Sequence, residues 1–320
     1  MNDSPAHGSP PERPTRVARA APTPPPARAL ASRSTRPTPL PERTVWIDGR
    51  LVRGADATLS LFDRGARDGE GLFETVRVYD GCPGDWHRHM ERLVLSAAEL
   101  GFPVPAGPGT LRAALDAVME ADGLRDAVAR LTVTRGVPGG RPTRTGAWVE
   151  VEPLGARLWS GTRTGKASAI FSKTPFEPGP LGRHKTTSRL AYALAREEAR
   201  AARADEALLV SALGEVLEGA VSSVFAVFLG EVLTPPLARG ILPGLARRRV
   251  IERCGELGLA LRERALTRAD LTAADEVFLT NSVQEVVPLA TLDGRNVRTR
   301  TIGAQLCEAY RQGAPWGVEA

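Results

Sequence analysis

Proline divides this chain into two parts that differ in their ability to fold. Eleven of the 26 prolines fall within the first 42 of 320 residues, and this segment carries few large apolar side chains. Proline lacks the backbone N–H that helices and inner strands require, and a segment that cannot bury apolar surface stays disordered. Residues 1–42 are therefore predicted to be a disordered Pro/Arg-rich tail, and ordered structure is expected from residue 43.

Composition and charge exclude several classes of protein. Hydrophobic residues make up 42% of the chain and charged residues 25%, as in ordinary globular proteins. The tail alone, with six arginines and three acids, contributes more than half of the net charge of +5, so the remainder is too weakly basic to indicate nucleic-acid binding. No apolar run reaches the roughly 20 residues of a membrane span. Three widely spaced cysteines without a CxxC pattern favour reduced thiols and a cytoplasmic location.

Hydrophobic periodicity indicates two successive sets of strands and helices after the tail. The first set begins with a hairpin that turns at Asp48-Gly49, followed by the strand "LFETVRVYDG", a helix from about Asp85, a second helix near 109–121 and two more strands. This pattern predicts a small α+β domain over residues 43–160.

The second set predicts a larger α/β domain over residues 165–320. It opens with the strand "KASAIFS" and an alanine-rich helix, and continues with a β-meander turning at Leu213-Gly214 and Leu229-Gly230. It is completed by a helix within "ILPGLARRRVIERCGELG", entered at Pro243-Gly244 and ending at Gly255 or Gly258, by the strand "ADEVFLTNS" and by a closing helix over 302–312. The fold class is therefore α/β, with two domains and a site expected between them.

Lys185 lies in "LGRHKTTSRLAYALA", where a loop meets the alanine-rich helix. Its amine can become neutral or form a Schiff base, which an arginine cannot do. A lone lysine is more often a solvated surface charge, so the catalytic interpretation depends on the partners that the rest of the chain supplies.

Those partners are candidates for holding a phosphorylated, cationic cofactor. Glu218 follows an apolar strand, and a buried carboxylate needs a positive charge such as the pyridinium nitrogen of pyridoxal phosphate; the alternative is an exposed glutamate at a strand end. Backbone N–H groups near 244–246 begin a helix and could bind an anion. Arg92, beside His89, and Ser282 could add charge-assisted and hydroxyl contacts.

The motifs occur in the order DRG-x(6)-LFETVR, H-x-x-R-L, K-x-x-S-R-L, E-G-x-x-S-x-x-F, L-P-G and T-N-S. This order resembles the class IV pyridoxal-phosphate enzymes, of fold type IV, over about residues 43–312. The family includes branched-chain and D-amino-acid aminotransferases and 4-amino-4-deoxychorismate lyase. The resemblance implies pyridoxal 5'-phosphate as cofactor, a small-molecule amine substrate and a homodimer. It also implies that Lys185 binds the cofactor covalently, that Glu218 pairs with the ring nitrogen, and that the phosphate is held by Arg92, Leu245, Ala246 and Ser282.

Three local features favour the lyase, which releases pyruvate and forms p-aminobenzoate: "LFETVR", "TRGVPGGR", and Leu190 where branched-chain transaminases carry a tyrosine. An aminotransferase of D-amino or branched-chain acids is the alternative, and a non-catalytic cofactor-binding protein is the third hypothesis. Asp68 and Glu70 depart from the aromatic residue and the aspartate that the family often has there, so a cofactor contact is expected to be missing.

Overall fold

The computed structural model describes Met1 and residues 43–101, 104, 106–139, 146–158 and 163–314. The predicted tail therefore lies outside the described residues, apart from Met1. Leu40–Ala320 forms one compact unit. The predicted boundary, between a small domain that ends at 160 and a large domain that begins at 165, lies partly outside the described residues and stays a prediction.

The first part of this unit is an antiparallel sheet of six described strands covered by helices. Its strand order is β2-β1-β6-β5-β3-β4. Asp48 and Gly49 both have positive φ values, 47° and 88°, which suit a tight two-residue hairpin turn and confirm the predicted hairpin. The strands are β1 (Thr44–Ile47), β2 (Arg50–Arg53), β3 (Gly71–Tyr79), β4 (Cys82–Pro83), β5 (Ala127–Thr134) and β6 (Ala147–Pro153), and the helices are α1 (Arg64–Asp68), α2 (Trp86–Glu99) and α3 (Pro108–Ala121).

The second part, as far as the structure describes it, contains two further sheets and four α-helices. One sheet has the order β12-β11-β10-β14-β15 and the other has the order β13-β9-β8-β7-β16-β17. The strands are β7 (Ser168–Phe171), β8 (Glu206–Val210), β9 (Glu215–Gly219), β10 (Ser223–Phe228), β11 (Glu231–Thr234), β12 (Leu261–Glu263), β13 (Leu266–Thr267), β14 (Glu276–Asn281), β15 (Glu285–Pro288), β16 (Thr291–Leu292) and β17 (Arg295–Asn296). The helices are α4 (Leu190–Ala201), α5 (Leu245–Glu256), α6 (Arg268–Ala273) and α7 (Thr301–Arg311).

Strand periodicity explains how these two sheets stack. Along β10, Val224 and Ala226 enter the apolar core shared with β8 and β9, whereas Phe225 and Val227 pack against α5 and α7. Side chains of successive strand residues point to opposite faces, so a strand with apolar residues at every position is buried on both sides. The same alternation in β8 places one face in the shared core and the other against α4. The predicted α/β class is confirmed.

The predicted β-meander is wrong in one respect, because its strands divide between the two sheets. β8 pairs with β9 and β10 pairs with β11, but β9 and β10 belong to different sheets. The turn between them is held by Gly219 N donating to Ser222 O at 2.7 Å. The buried carboxylate of Glu206 accepts from Ser222 Oγ at 2.7 Å and from Val221 N at 3.3 Å. Side-chain anchoring of the turn thus redirects the chain from one sheet to the other.

The remaining predicted elements occur close to their expected positions. The helix expected from Asp85 begins at Trp86, and the closing helix expected over 302–312 spans Thr301–Arg311. Within the described ranges, no helix has both the length and the apolar character needed to cross a membrane.

Candidate active site

A cavity of about 430 Å³ opens where the end of β9, the start of β10, the end of β14 and the beginning of α5 meet. Every site residue expected from the sequence lines it. These residues are Arg92, Lys185, Glu218, Leu245, Ala246 and Ser282.

The backbone around Lys185 is fixed to the start of β3. Phe73 N donates to Lys185 O at 2.9 Å, and Thr187 N donates to Gly71 O at 2.8 Å. A Cβ atom on Gly71 would lie 2.8 Å from Thr187 Oγ1, so only glycine allows this close approach. The two segments therefore hold Lys185 in the cavity wall, with Nζ 4.8 Å from the centre of the Phe73 ring.

The surroundings of Lys185 favour its neutral amine. Burial is the main cause that lowers its pKa from 10.5 to about 7, and the positive charge of Arg92 adds to the effect while Glu74 opposes it. An amine with this pKa is available as a nucleophile or as a base near neutral pH.

We expect Lys185 to be the most reactive lysine of the cofactor-free protein. About half of its amine is neutral at pH 7, against roughly one part in 2,500 for an ordinary lysine. Acylation at pH 7, followed by peptide mass spectrometry, should modify Lys185 at least about tenfold faster than the exposed Lys166 and Lys173. The rate at Lys185 should level off above about pH 7. Equal rates for the three lysines at pH 7 would contradict the lowered pKa.

Arg92 is held by a buried carboxylate that the sequence analysis missed. Glu74 accepts from Arg92 Nε at 2.8 Å and from Nη2 at 2.6 Å, and it contacts His89 Nδ1 at 2.7 Å. Although burial opposes ionisation, the charges of Arg92 and His89 hold the pKa of Glu74 well below its ordinary value. The alternation of side chains along β3 could have indicated this residue, because it places Glu74 on the same buried face as Leu72 and Val76.

The beginning of α5 and its surroundings fit a phosphate. Gly244 is the N-cap and makes no side-chain cap, so the first N–H groups, those of Leu245 and Ala246, have no acceptor within the helix. Arg92 Nη1 donates to Pro243 O at 2.9 Å, which places its guanidinium beside this loop. Thr280 Oγ1 lines the same cavity, is buried, and has no hydrogen-bond partner within the described chain. A bound anion would satisfy these donors.

Glu218 lies at the end of β9 with only 4% of its surface exposed. It accepts a long hydrogen bond from Tyr192 Oη at 3.3 Å and another from Leu242 N at 3.4 Å. Burial raises its pKa to about 7, although the positive charge of Arg189 opposes the rise. The carboxylate is thus placed to share a proton with a basic nitrogen in the cavity. Nothing in the motifs indicated Tyr192 as its partner.

Three residues used in the sequence analysis lie away from the cavity. Glu70 pairs with Arg64 and Arg135, at 2.5 and 2.8 Å, and so has a structural role in place of a cofactor contact. Asp68 ends α1, and Leu190 is 74% exposed. None of the three lines the cavity.

Known proteins resemble this chain over most of its length. The family model "Amino-transferase class IV" matches residues 71–292. A Methanocaldococcus jannaschii protein provisionally named as a branched-chain-amino-acid aminotransferase is 33% identical over 291 residues, 86% of this chain and 98% of that protein. The D-alanine aminotransferase of Bacillus licheniformis is 29% identical and the aminodeoxychorismate lyase of Bacillus subtilis is 31% identical, each over 79% of this chain and 89% and 87% of those proteins.

One solved structure is similar to this chain in fold and in sequence. The branched-chain aminotransferase of the thermophilic archaeon Thermoproteus uzoniensis with norvaline has a TM-score of 0.75 and 31% identity, covering 84% of this chain and 94% of that chain. Three observations thus agree. A family model matches the chain, relatives align with it over most of their length, and its cavity contains a lysine and fits a phosphorylated cofactor. It belongs to the class IV aminotransferases, a family of enzymes that depend on pyridoxal phosphate.

Proposed function

We propose that this protein is an aminotransferase that exchanges an amino group between an amino acid and a 2-oxo acid. The observation that carries the proposal is the presence of Lys185, Glu218 and the free N-terminal turn of α5 in one cavity. The relatives favour transamination, since the Methanocaldococcus jannaschii protein and the matching solved structure are named as branched-chain aminotransferases. The donor we propose is a branched-chain or D-amino acid.

The residues around the cavity divide into a phosphate end and a ring end. Pyridoxal phosphate, when bound, supplies an electron-accepting ring that makes the substrate's Cα–H acidic. We infer that Arg92, Ser282 Oγ and the N–H groups of Leu245 and Ala246 hold the phosphate. Glu218 would bind the ring nitrogen and keep it protonated, because the burial that raises its own pKa also strengthens any ion pair it forms.

Lys185 has two proposed tasks. Its Nζ would hold the cofactor covalently, and as the free amine it would accept the proton from the substrate Cα. The lowered pKa leaves about half of that amine unprotonated at pH 7, and a general base must be unprotonated to act. The close pairing between 185–187 and β3 fixes Nζ for this transfer.

Aminodeoxychorismate lyase is the second candidate. The Bacillus subtilis relative and the motifs "LFETVR", "TRGVPGGR" and K-x-x-S-R-L favour it. The third sequence feature that favoured the lyase, Leu190, gains no support from the structure, since this residue is exposed and does not line the cavity.

An assay with and without a 2-oxo acid distinguishes the candidates. We expect the purified holoenzyme to convert L-valine, L-leucine or a D-amino acid only when a 2-oxo acid acceptor is present. Pyruvate release from aminodeoxychorismate without any acceptor would instead establish the lyase. A cofactor spectrum that no amine in the panel changes would indicate the third hypothesis, a non-catalytic cofactor-binding protein.

Two further expectations stay predictions. The homodimer is supported by exposed apolar side chains, including Leu61 at 86% and Phe62 at 67%, which a second subunit could cover. A cytoplasmic location is likewise our proposal, and the three free thiols support it.

A further inference from the structure

Tyr192 connects the first turn of α4 to the carboxylate of the cavity. It is the third residue of that helix, only 8% of its surface is exposed, and its ring packs edge-on against Phe176 with 4.8 Å between the ring centres. Its hydroxyl donates to Glu218 Oε1 at 3.3 Å, and both residues line the cavity. The ring is therefore held by packing, which fixes the hydroxyl beside the carboxylate.

Arg189 lies over the face of the Tyr192 ring. Its Cζ is 3.2 Å from the ring centre, and Nη2 donates to Ala220 O at 3.3 Å, which holds the guanidinium in this position. A cation over an aromatic face is attracted to the ring. The positive charge also polarises the phenol, and a polarised O–H is a stronger hydrogen-bond donor. Arg189 thus strengthens the contact between Tyr192 and Glu218.

The groups around Glu218 favour its charged form, which burial disfavours. Burial is the main cause that raises the pKa of Glu218 to about 7, whereas the charge of Arg189 and the hydroxyl of Tyr192 oppose the rise. Burial also raises the pKa of Tyr192 to about 12, so its hydroxyl keeps the proton near neutral pH and remains a donor. The balance between the two forms of Glu218 is close, so one hydrogen bond can shift it.

We propose that Tyr192, with Arg189 over its ring, is a positioning residue that directs the proton shared by Glu218 and the cofactor's ring nitrogen toward the nitrogen. The carboxylate oxygen and the nitrogen compete for this single proton, and a donor to the carboxylate stabilises its charged form. The proton then stays on the nitrogen, and the resulting charged hydrogen bond holds the ring. The inference rests on the proposed function only in placing Glu218 against that nitrogen.

Binding of two related compounds to the full chain tests the proposal apart from turnover. Pyridoxamine 5'-phosphate has the ring nitrogen, and its 1-deaza analogue has a carbon in the same place. The substitution Tyr192→Phe keeps the ring and removes only the hydroxyl. We expect titration calorimetry to show that it weakens binding of pyridoxamine 5'-phosphate by about tenfold, the lower end of the range for a hydrogen bond to a charged group, because the contact is long. Binding of the analogue should weaken by less than about twofold.

Tyr79→Phe is the matched control. The Tyr79 hydroxyl also donates to a buried carboxylate, Glu285 Oε1 at 3.1 Å, but neither residue lines the cavity. This variant should leave both affinities within about twofold of the wild type. A double substitution gives a second measurement, since Tyr192→Phe in a Glu218→Gln background should weaken binding of pyridoxamine 5'-phosphate by less than about threefold.

The outcomes separate this inference from the proposed function. Equal weakening of both compounds in Tyr192→Phe, or no weakening of either, would overturn the inference whatever reaction the enzyme catalyses. Equal affinity of the wild type for the two compounds would also overturn it, since Glu218 would then gain nothing from the ring nitrogen. Selective weakening in a protein that transfers no amino group would support the inference and refute the aminotransferase.

Discussion

Replacing Lys185 by alanine is expected to lower turnover by at least about 1,000-fold, since the substitution removes both the covalent attachment point and the general base. The side chain has no substitute in the described chain, because Lys166 and Lys173 are exposed and do not line the cavity. Borohydride reduction followed by peptide mass spectrometry should fix the cofactor on residues 181–195 of the wild type and leave Lys185→Ala unlabelled.

Lys173→Ala is the control for this experiment. It removes an exposed lysine outside the cavity, so it should keep wild-type turnover and the borohydride adduct. If Lys185→Ala retained wild-type turnover, or if the adduct formed at another residue, the assignment of the reactive amine would be wrong.

Glu74→Gln is expected to produce the largest loss of stability. The substitution removes the charge that balances Arg92, and leaving a buried arginine without its carboxylate costs about 3–5 kcal/mol of the free energy of unfolding. Arg92 would also lose the bidentate contact that orients it beside the loop before α5. We therefore expect weaker retention of the cofactor as well, measured by dialysis and absorbance.

Urea unfolding as a function of pH provides the sharper measurement. The pKa of Glu74 is held below its ordinary value in the folded protein. Its contribution to the free energy of unfolding is therefore complete above the ordinary pKa of about 4.3 and declines as the pH falls toward the pKa of the folded state. The difference between wild type and Glu74→Gln should shrink in that acidic range. Glu99→Gln, which alters a carboxylate that is 48% exposed, should change stability by less than about 1 kcal/mol. A change for Glu74→Gln as small as that of the control would refute the buried pair.

Local patterns, together with the family resemblance, were sufficient to predict most elements and six of the residues that line the cavity. The Asp48-Gly49 pair fixes its own turn through two positive φ values, and the apolar period locates β3 and α2. Gly244 before α5 marks a helix N-terminus that can bind an anion, and Lys185 before α4 marks the reactive amine. Each of these features depends on a few neighbouring residues. Such features are encoded within one segment, so a single sequence reveals them.

Features that depend on distant partners were not predictable in this way. Glu74 and Arg92 are 18 positions apart on different elements, and the pattern indicated an inward position for Glu74 without indicating what it contacts. The division of the expected meander between two sheets depends on Glu206 reaching a turn 16 positions away. Leu190 was chosen from a motif comparison, whereas its exposure depends on how α4 packs.

The turn of residues 219–222 has an evolutionary consequence. Where β9 leaves one sheet and β10 enters another, strand ends and the short turn between them form part of the cavity wall. The residues of this turn differ in burial, since Ala220 belongs to the apolar core beside α4 whereas Val221 is 50% exposed and lines the cavity. Substitutions of Val221 can alter which acid is accepted while folding is retained, so one ancestral scaffold could diversify into enzymes with unlike preferences.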